Sequence, residues 1–272
     1  MNRIDTRFAK LRAADRAGLI SFVTAGDPSP DATVAIMHAL VEAGADLIEL
    51  GVPFSDPMAD GPVIQHANER ALARGVGLAR ILAWVREFRT RDAATPVVLM
   101  GYLNPIEIHG MARFAAEARE AGVDGVLLVD CPVEEIDSTA AIHAAGLARI
   151  FLAAPTTADA RLAAICAAAE GFLYYVSFAG ITGADRLSMD DVRARVALIK
   201  RSAKTPVAVG FGVRDAKSAA AIGAFADAVV IGSALVERLA VATDATDACR
   251  RAREFIAPIR SALDARATSH VA

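Results

Sequence analysis

The segment EAGADLIELGVPFSDPMADGPVIQ, residues 42–65, contains the unit from which the fold can be deduced. Gly44 ends a predicted helix and releases the chain into the strand LIEL. This strand is apolar on both faces, which is typical of a parallel sheet covered by helices. A loop and the start of another helix follow it. Related phrases, EAGVD at residues 120–124 and HAAG at residues 143–146, precede two further strands and mark the same change from helix to strand.

The order of strand and helix continues along the chain. Eight apolar runs are predicted as strands, at residues 19–24, 47–50, 97–100, 125–129, 148–152, 172–176, 207–209 and 228–231. Helices are predicted at residues 31–43, 63–73, 78–91, 111–121, 134–145, 158–169, 189–200, 216–222, 234–239 and 245–265. This alternation predicts an α/β fold, a single (β/α)8 TIM barrel with extra helices over residues 1–272, with 266–272 as a frayed tail. An open, doubly wound sheet is the structural alternative.

Composition excludes several classes of protein. The net charge is −3, whereas nucleic-acid binding needs a basic surface. The amino-terminal stretch has no signal-peptide core, and no apolar run approaches the roughly 20 residues of a membrane span. The cysteines, Cys131, Cys166 and Cys249, have no metal-binding spacing, and the histidines form no ligand pair, so no metal site is expected. These features predict a cytoplasmic protein with reduced thiols.

Carboxylates near the ends of strands are the candidates for chemistry, because barrel active sites lie in the loops after the strands. Glu49 stands inside an apolar strand, where burial would raise its pKa toward the range that acid–base catalysis uses. A structural carboxylate bound by backbone amides is the alternative. Asp60, in the loop after that strand, is interpreted either as a catalytic residue or as a residue that forms a turn. Asp56 and Asp27 are expected to cap turns, and Asp130 to cap a turn or support the loop that carries Asp60.

Glycine-bearing segments follow the last three strands: SFAGITGAD at 177–185, GFGV at 210–213 and IGSALV at 231–236. Glycine lets backbone N–H groups approach an anion, and a helix amino terminus adds a favourable dipole. Together the segments predict a phosphate site of the kind that barrels form after their last strands. GFG and IGS contain no lysine or arginine, so backbone dipoles would bind the phosphate.

At these residues the sequence resembles the tryptophan synthase α chain family. The segments that carry the resemblance are FVTAGDP, IELGVPFSDPMADGPVIQ, MGYLNP, GVLLVDCPVEE, YYVSFAGITGA, VAVGFGV and VVIGSAL. They occur in family order over residues 3–266, and the motif at 49–65 is highly specific. Two positions depart from the family pattern, Phe178 and Cys131, and neither lies in the predicted chemistry.

The resemblance implies a function and a set of site residues. The function is that of a lyase, the retro-aldol cleavage of indole-3-glycerol phosphate to indole and glyceraldehyde 3-phosphate. The catalytic pair is Glu49, the acid–base group, with Asp60 beside the indole nitrogen. The implied substrate contacts are Phe22, Ile64, Leu127, Tyr174 and Phe211, and the implied phosphate contacts are Thr182, Gly183, Gly212, Gly232 and Ser233.

The resemblance also implies a partner. The family α chain works with a β chain in an α2β2 heterotetramer, and pyridoxal phosphate is carried only by that β chain, so no cofactor is expected here. The implied interface residues are Pro53, Asp56, Pro57, Met58 and Asn104. A stand-alone indole-releasing lyase, a non-catalytic regulatory subunit and another phosphosugar barrel remain as alternatives.

Overall fold

The eight predicted strands form a closed parallel barrel in the structure, a computed structural model that describes residues 2–176, 188–210 and 212–269. The strands are β1 Gly18–Thr24, β2 Leu47–Gly51, β3 Val97–Gly101, β4 Gly125–Leu128, β5 Ala148–Ala153, β6 Leu173–Val176, β7 Val207–Gly210 and β8 Ala228–Ile231. Each boundary lies within one residue of its prediction. Strand β8 pairs with β1 and closes the sheet, so the (β/α)8 prediction is confirmed and the open sheet is wrong.

The helices lie outside the barrel or across its ends. Within the described ranges they are α1 Arg3–Ala13, α2 Thr33–Glu42, α3 Pro62–Ala73, α4 Leu78–Arg89, α5 Leu103–His109, α6 Met111–Ala121, α7 Ala140–Ala144, α8 Asp159–Ala168, α9 Met189–Ser202, α10 Ala216–Gly223, α11 Ser233–Ala240 and α12 Ala245–Ser269. Two short 3-10 helices, Pro30–Ala32 and Val133–Thr139, precede α2 and α7.

Helices α1 and α5 are absent from the predictions, and the first half of the predicted helix at 134–145 is a 3-10 helix. Helix α5 contains Pro105 in its first turn, where proline is tolerated because the N–H groups of that turn have no partner within the helix. Helix α12 continues to Ser269. One domain over residues 1–272 and a frayed tail at 266–272 stay predictions.

Alternate residues along the strands divide the core into two layers. Inward-facing residues such as Leu47, Val98 and Leu127 fill the barrel, and Ile4 and Phe8 of α1 pack against the same cluster. Helix α1 therefore covers the amino-terminal end of the barrel. Outward-facing residues pack under the surrounding helices. The carboxyl end of the barrel is left for the loops that carry the site.

A fourfold repeat of carboxylates ties the strands together at the amino-terminal end, with two members buried and two partly exposed. Each carboxylate precedes an even-numbered strand and accepts the backbone N–H of a residue at the start of the odd-numbered strand before it. The four pairs are Asp46 with Leu19, Asp124 with Val97, Glu170 with Arg149 and Asp227 with Val207, at 2.8–2.9 Å. The phrases EAGAD and EAGVD, which end helices, thus also supply the acceptors Asp46 and Asp124.

Basic side chains from outside the barrel pair with these carboxylates. Asp124, 1% exposed, contacts Arg3 at 2.9 Å and Arg89 at 2.8 Å. Asp46 contacts Arg260 at 3.0 Å in the same way. A carboxylate that stays ionised when buried must be hydrogen-bonded and paired, and both conditions are met here. The repeat therefore joins the strands to helices α1, α4 and α12.

Helix α1 ends with an unusual residue. Asp15 has φ +49°, while Arg16 donates its N–H to the carbonyl of Leu11 at 2.9 Å, as in a helix-ending turn that normally contains glycine. Gly44 and Gly122 occupy comparable positions after α2 and α6, with φ +105° and +93°. Positive φ is costly for a residue with a Cβ atom.

We expect Asp15→Gly to raise the free energy of unfolding by roughly 0.5–1 kcal/mol, because glycine removes that conformational cost. Urea denaturation followed by circular dichroism would measure the change. Asp5→Gly, in the first turn of the same helix, is the control, and we expect it to destabilise the protein. A loss of stability in Asp15→Gly would contradict the explanation.

Candidate active site

Glu49 lies at the middle of β2 and points into the barrel. Its strand neighbours in register are Phe22 of β1 and Val98 of β3. The side chain is 0% exposed, and neither carboxyl oxygen has a hydrogen-bond partner among the described residues. This lack of a partner separates it from the carboxylates at the other end of the barrel, each of which accepts a backbone N–H. The expectation of a structural carboxylate bound by backbone amides is therefore not met within the described chain.

Burial raises the pKa of Glu49 to about 8, and the negative charge of Asp60 adds to the increase. A carboxyl group with this pKa is mostly protonated at neutral pH but can still release its proton near that pH. This combination is what a group needs if it is to donate and then recover a proton.

Asp60 lies in the loop between β2 and α3. The hydroxyl of Tyr102 donates to its Oδ2 atom at 3.2 Å, and Asn68 Nδ2 lies 3.5 Å from the same oxygen. Burial raises the pKa of Asp60, while these two donors oppose the increase. Asp60 contributes to the raised pKa of Glu49, so its charge reaches the interior of the barrel. The structure thus brings the two predicted catalytic carboxylates together.

Two aromatic side chains flank this pair, and each approaches a glycine closely. A Cβ atom on Gly210 would lie 2.5 Å from the Tyr174 hydroxyl, and one on Gly51 would lie 2.7 Å from the Phe22 ring. The pKa of Tyr174 is raised well above its ordinary value by burial and by the charge of Glu49. A residue larger than glycine at position 51 or 210 would therefore collide with one of these rings.

A small pocket opens beside the pair at the carboxyl end of the barrel. It is lined by Phe22, Gly51, Val52, Asp60, Ile64, Asn68, Met100, Gly101, Tyr102 and Val129. Of the predicted substrate contacts, Phe22 and Ile64 line this pocket, and Tyr174 adjoins Glu49. Leu127 faces the barrel interior and pairs in register with Met100, which lines the pocket. Phe211 lies outside the described residues.

The predicted phosphate contacts are only partly described. Gly212 follows β7 with φ +50°, and Gly232 caps the amino terminus of α11, whose first residue is Ser233. Strands β7 and β8 are neighbours, so these residues follow adjacent strands at the same end of the barrel. Thr182 and Gly183 lie outside the described residues, as does Phe178.

The predicted interface residues follow β2 and β3. Met58 is 81% exposed, Asp56 and Asn104 are also exposed, and Pro57 is partly exposed. Pro53 is buried at the start of the loop. Besides Met58, which follows β2, a second large apolar side chain is exposed after β3: Ile108 in α5 is 80% exposed.

The remaining aspartates have structural contacts. Asp130 accepts the N–H of Leu103 at 2.8 Å and so caps the start of α5. Asp27, 4% exposed, pairs with Arg70 of α3 at 2.7 and 3.0 Å. This pair, in which the carboxylate is buried, joins the loop after β1 to the helix that carries Asn68 and Ile64.

Sequence reasoning missed the two donors to Asp60. Tyr102 directly follows β3, so its place after a strand was a signal, but in the sequence it stood out only as part of the family segment MGYLNP. Asn68 lies on a helix with no distinguishing pattern around it. Cys131, the second departure from the family pattern, is buried and lies 3.7 Å from the Ser138 hydroxyl.

In the described ranges, no cluster of three or more histidine, cysteine or acidic side chains could hold a metal ion. The same ranges contain no helix of the length and apolar character that crossing a membrane requires.

A closed (β/α)8 barrel with a buried, protonatable carboxyl group next to a second carboxylate defines an acid–base enzyme of the barrel class. The model of the family described as "Tryptophan synthase alpha chain" matches residues 8–263. The chain therefore belongs to the tryptophan synthase α chain family.

Similar proteins cover almost the whole chain. The tryptophan synthase α chain of Xylella fastidiosa strain M12 is 62% identical over 266 residues, 97% of this chain and 99% of the relative. That of Xanthomonas oryzae pv. oryzae strain PXO99A is 62% identical over 267 residues, again 97% and 99%. The crystal structure of the α subunit from Legionella pneumophila strain Paris has a TM-score of 0.91 at 45% identity and covers 97% of this chain and 99% of its own. A Mycobacterium tuberculosis tryptophan synthase structure has a TM-score of 0.87 at 39% identity, with 96% and 98% covered.

The chain is accordingly a lyase that cleaves indole-3-glycerol phosphate, the α reaction of tryptophan biosynthesis. The α chain needs no cofactor of its own, since pyridoxal phosphate belongs to the β chain. Membership of the family implies a β-chain partner.

Proposed function

We propose that Glu49 is the acid–base catalyst of this cleavage and that Asp60 stabilises the positive charge that develops on the indole ring. One observation carries the proposal: Glu49 is fully buried, has no described hydrogen-bond partner, and has a pKa raised to about 8 next to Asp60. A buried carboxyl with a perturbed pKa and a specific charged neighbour is characteristic of catalytic sites.

The reaction needs a proton at C3 of the indole before the carbon–carbon bond can break. Protonated Glu49 donates that proton, and the ring nitrogen becomes positively charged. Glu49, now ionised, removes the proton of the hydroxyl on the adjacent glycerol carbon. The bond to C3 then breaks, its electron pair returns to the ring and neutralises the nitrogen, and the hydroxyl carbon becomes the aldehyde. Glu49 ends the cycle protonated, so no net proton is consumed.

Asp60 is suited to the charge-stabilising role because its negative charge already acts on Glu49. Its pKa is raised by burial, but the donors Tyr102 and Asn68 favour the ionised form. A fixed negative charge in a site with little water stabilises a developing positive charge more strongly than water does. Burial and this negative charge together keep Glu49 protonated, ready to donate its proton to the substrate.

The remaining predicted contacts divide between the two ends of the substrate. Phe22, Ile64, Leu127, Tyr174 and Phe211 are proposed to contact the indole and glycerol parts. The phosphate is proposed to bind at Thr182, Gly183, Gly212, Gly232 and Ser233. The free amino terminus of α11 supports this assignment, because its cap at Gly232 has no side-chain hydrogen bond and its dipole favours an anion.

We propose an α2β2 heterotetramer in which the β chain contacts Pro53, Asp56, Pro57, Met58 and Asn104. Exposure of Met58 supports this, because a large apolar side chain that is 81% exposed is a candidate for burial in an interface. A cytoplasmic location is proposed as well, supported by the three cysteines, which are buried and free.

We expect indole release from indole-3-glycerol phosphate to rise at least about tenfold, a change of ~1.4 kcal/mol, when the β chain is added. The reason is that the loop proposed to contact the β chain also carries Asp60, so binding of the partner can order the site. The measurement is indole formation by the purified chain with and without its β chain. Met58→Asp should lower the affinity for the β chain and leave the basal rate of the isolated chain unchanged. Equal rates with and without the β chain would instead support a stand-alone lyase.

A further inference from the structure

Tyr102 stands between the loop that carries Asp60 and the end of β3. Its side chain is 3% exposed. Its hydroxyl accepts the backbone N–H of Ala59 at 3.0 Å and donates to Asp60 Oδ2 at 3.2 Å. Its ring packs against Phe54 of the same loop, with the ring centroids 5.0 Å apart. Three features of the loop, the ring of Phe54, the backbone amide of Ala59 and the carboxylate of Asp60, thus contact one side chain that directly follows β3.

We propose that Tyr102 is the positioning residue for Asp60, and that its hydroxyl holds the carboxylate in the orientation and the ionised state that the cleavage needs. The proposal rests on the charge-stabilising role given to Asp60 above. Tyr102 acts through Asp60 and need not touch the substrate.

The hydrogen-bond pattern fixes what the Tyr102 hydroxyl does: its oxygen accepts from Ala59, and its proton is donated to Asp60. A phenol has a single proton, and the amide of Ala59 can only donate, so the proton of Tyr102 is directed to Asp60. Burial and the nearby charge of Asp60 both raise the pKa of Tyr102, which keeps this proton in place. A neutral donor of this kind stabilises the ionised form of its carboxylate partner.

The other groups that face Asp60 do not replace this donor. Asn68 Nδ2 lies at 3.5 Å, at the limit of hydrogen-bond length, and neither carboxyl oxygen of Glu49 has a hydrogen-bond partner among the described residues. Asp130 acts on Tyr102, and Tyr174 interacts with Glu49. Among the residues that the structure describes, the hydroxyl of Tyr102 is therefore the strongest donor to Asp60.

Removal of the hydroxyl in Tyr102→Phe should have two separable effects. The turnover number should fall about tenfold to hundredfold, as for loss of one hydrogen bond to a charged group, with a smaller change in KM. Since the pKa of Asp60 should rise, the acid limb of the pH profile of kcat/KM should move to higher pH. A merely structural tyrosine would lower activity without moving that limb.

The test uses the complex with the β chain and four variants: Tyr102→Phe, Tyr175→Phe, Asp60→Asn and the double variant Tyr102→Phe/Asp60→Asn. Tyr175 is a matched control, because it is a tyrosine 1% exposed that packs on the outer side of the barrel. We expect Tyr175→Phe to retain the wild-type pH profile and rate.

In the Asp60→Asn background, Tyr102→Phe should have little further effect, because there is no longer a carboxylate to hold. Additive losses in the double variant, or an unchanged acid limb in Tyr102→Phe, would overturn the proposal. Should Asp60→Asn itself retain full activity, the role of Asp60 would fail first, and this outcome is distinct from a failure confined to Tyr102.

Discussion

Glu49→Gln should lower indole release by about 1,000-fold or more, because glutamine can neither donate a proton to C3 nor remove one from the hydroxyl. General acid–base catalysis typically contributes 10²–10⁴-fold, and here one group carries both proton transfers. A loss of this size corresponds to ~4 kcal/mol of transition-state stabilisation. Steady-state indole formation in the complex with the β chain measures it.

The fold of Glu49→Gln should survive, because at neutral pH the carboxyl that it replaces is already mostly protonated and thus uncharged. Binding of a phosphate-bearing substrate analogue should therefore remain close to that of the wild type. Calorimetric titration with such an analogue is the control. Loss of binding together with activity would mean that the substitution disturbs the barrel rather than the chemistry.

Stability against pH gives an independent check of the raised pKa of Glu49. Between its ordinary pKa of 4.5 and its folded value of about 8, the unfolded chain releases a proton that the folded chain keeps. The stabilising contribution of Glu49 is therefore complete below pH 4.5 and is lost as the pH rises toward 8, by at most about 1.4 kcal/mol per pH unit.

Glu49→Gln lacks this dependence, so its stability relative to the wild type should increase steadily across that interval. Urea denaturation at several pH values measures the difference. A difference that does not vary with pH would show that Glu49 is ionised in the folded protein, and the acid–base role would then lose its basis.

The second large effect concerns the fourfold repeat at the amino-terminal end of the barrel. Asp124→Asn should lower the free energy of unfolding by about 3–5 kcal/mol, as expected when one partner of a buried ion pair is removed. The charges of Arg3 and Arg89 would both lose their partner, and the Arg89 side chain is only 11% exposed. Thermal and urea denaturation of the isolated chain measure the loss.

Asp227→Asn is the matched control, because Asp227 occupies the same position in the repeat and also accepts a strand N–H, at 2.8 Å. Its side chain and that of its partner Lys200 are 34% and 38% exposed. Exposed pairs contribute about 0–1 kcal/mol, so the loss should be several times smaller than for Asp124→Asn. Equal losses at the two positions would mean that burial of the pair does not decide its contribution.

The strands were predictable because a parallel barrel buries both faces of each strand, and both faces are then apolar in the sequence. The charged sequence of α1 did not lead to a helix prediction. Helix α5 was not predicted either, because Pro105 indicates a helix break unless the position of the first turn is known. Boundaries of the long helices depend on caps, which sequence patterns locate only to within a few residues.

The residues of the site also divide into those that the sequence indicated and those that it did not. Glu49 was identifiable because a charged residue inside an apolar strand is costly and so stands out, and the order of residues after the strands indicated Asp60 and the glycine-rich rim. The donors of Asp60 were not identifiable, because Tyr102 and Asn68 reach it from a different strand end and from a helix.

The sequence by itself determined the alternation of strands and helices, the buried acid and the family, since each depends on local pattern or on residues close together in the chain. Only the tertiary structure decided that β8 closes on β1, that Glu49 lies beside Asp60 without a hydrogen-bond partner among the described residues, and that Tyr102 donates a hydrogen bond to Asp60 across 42 positions. These are contacts between distant segments, and they are set by packing of the whole barrel, which no short stretch of sequence records.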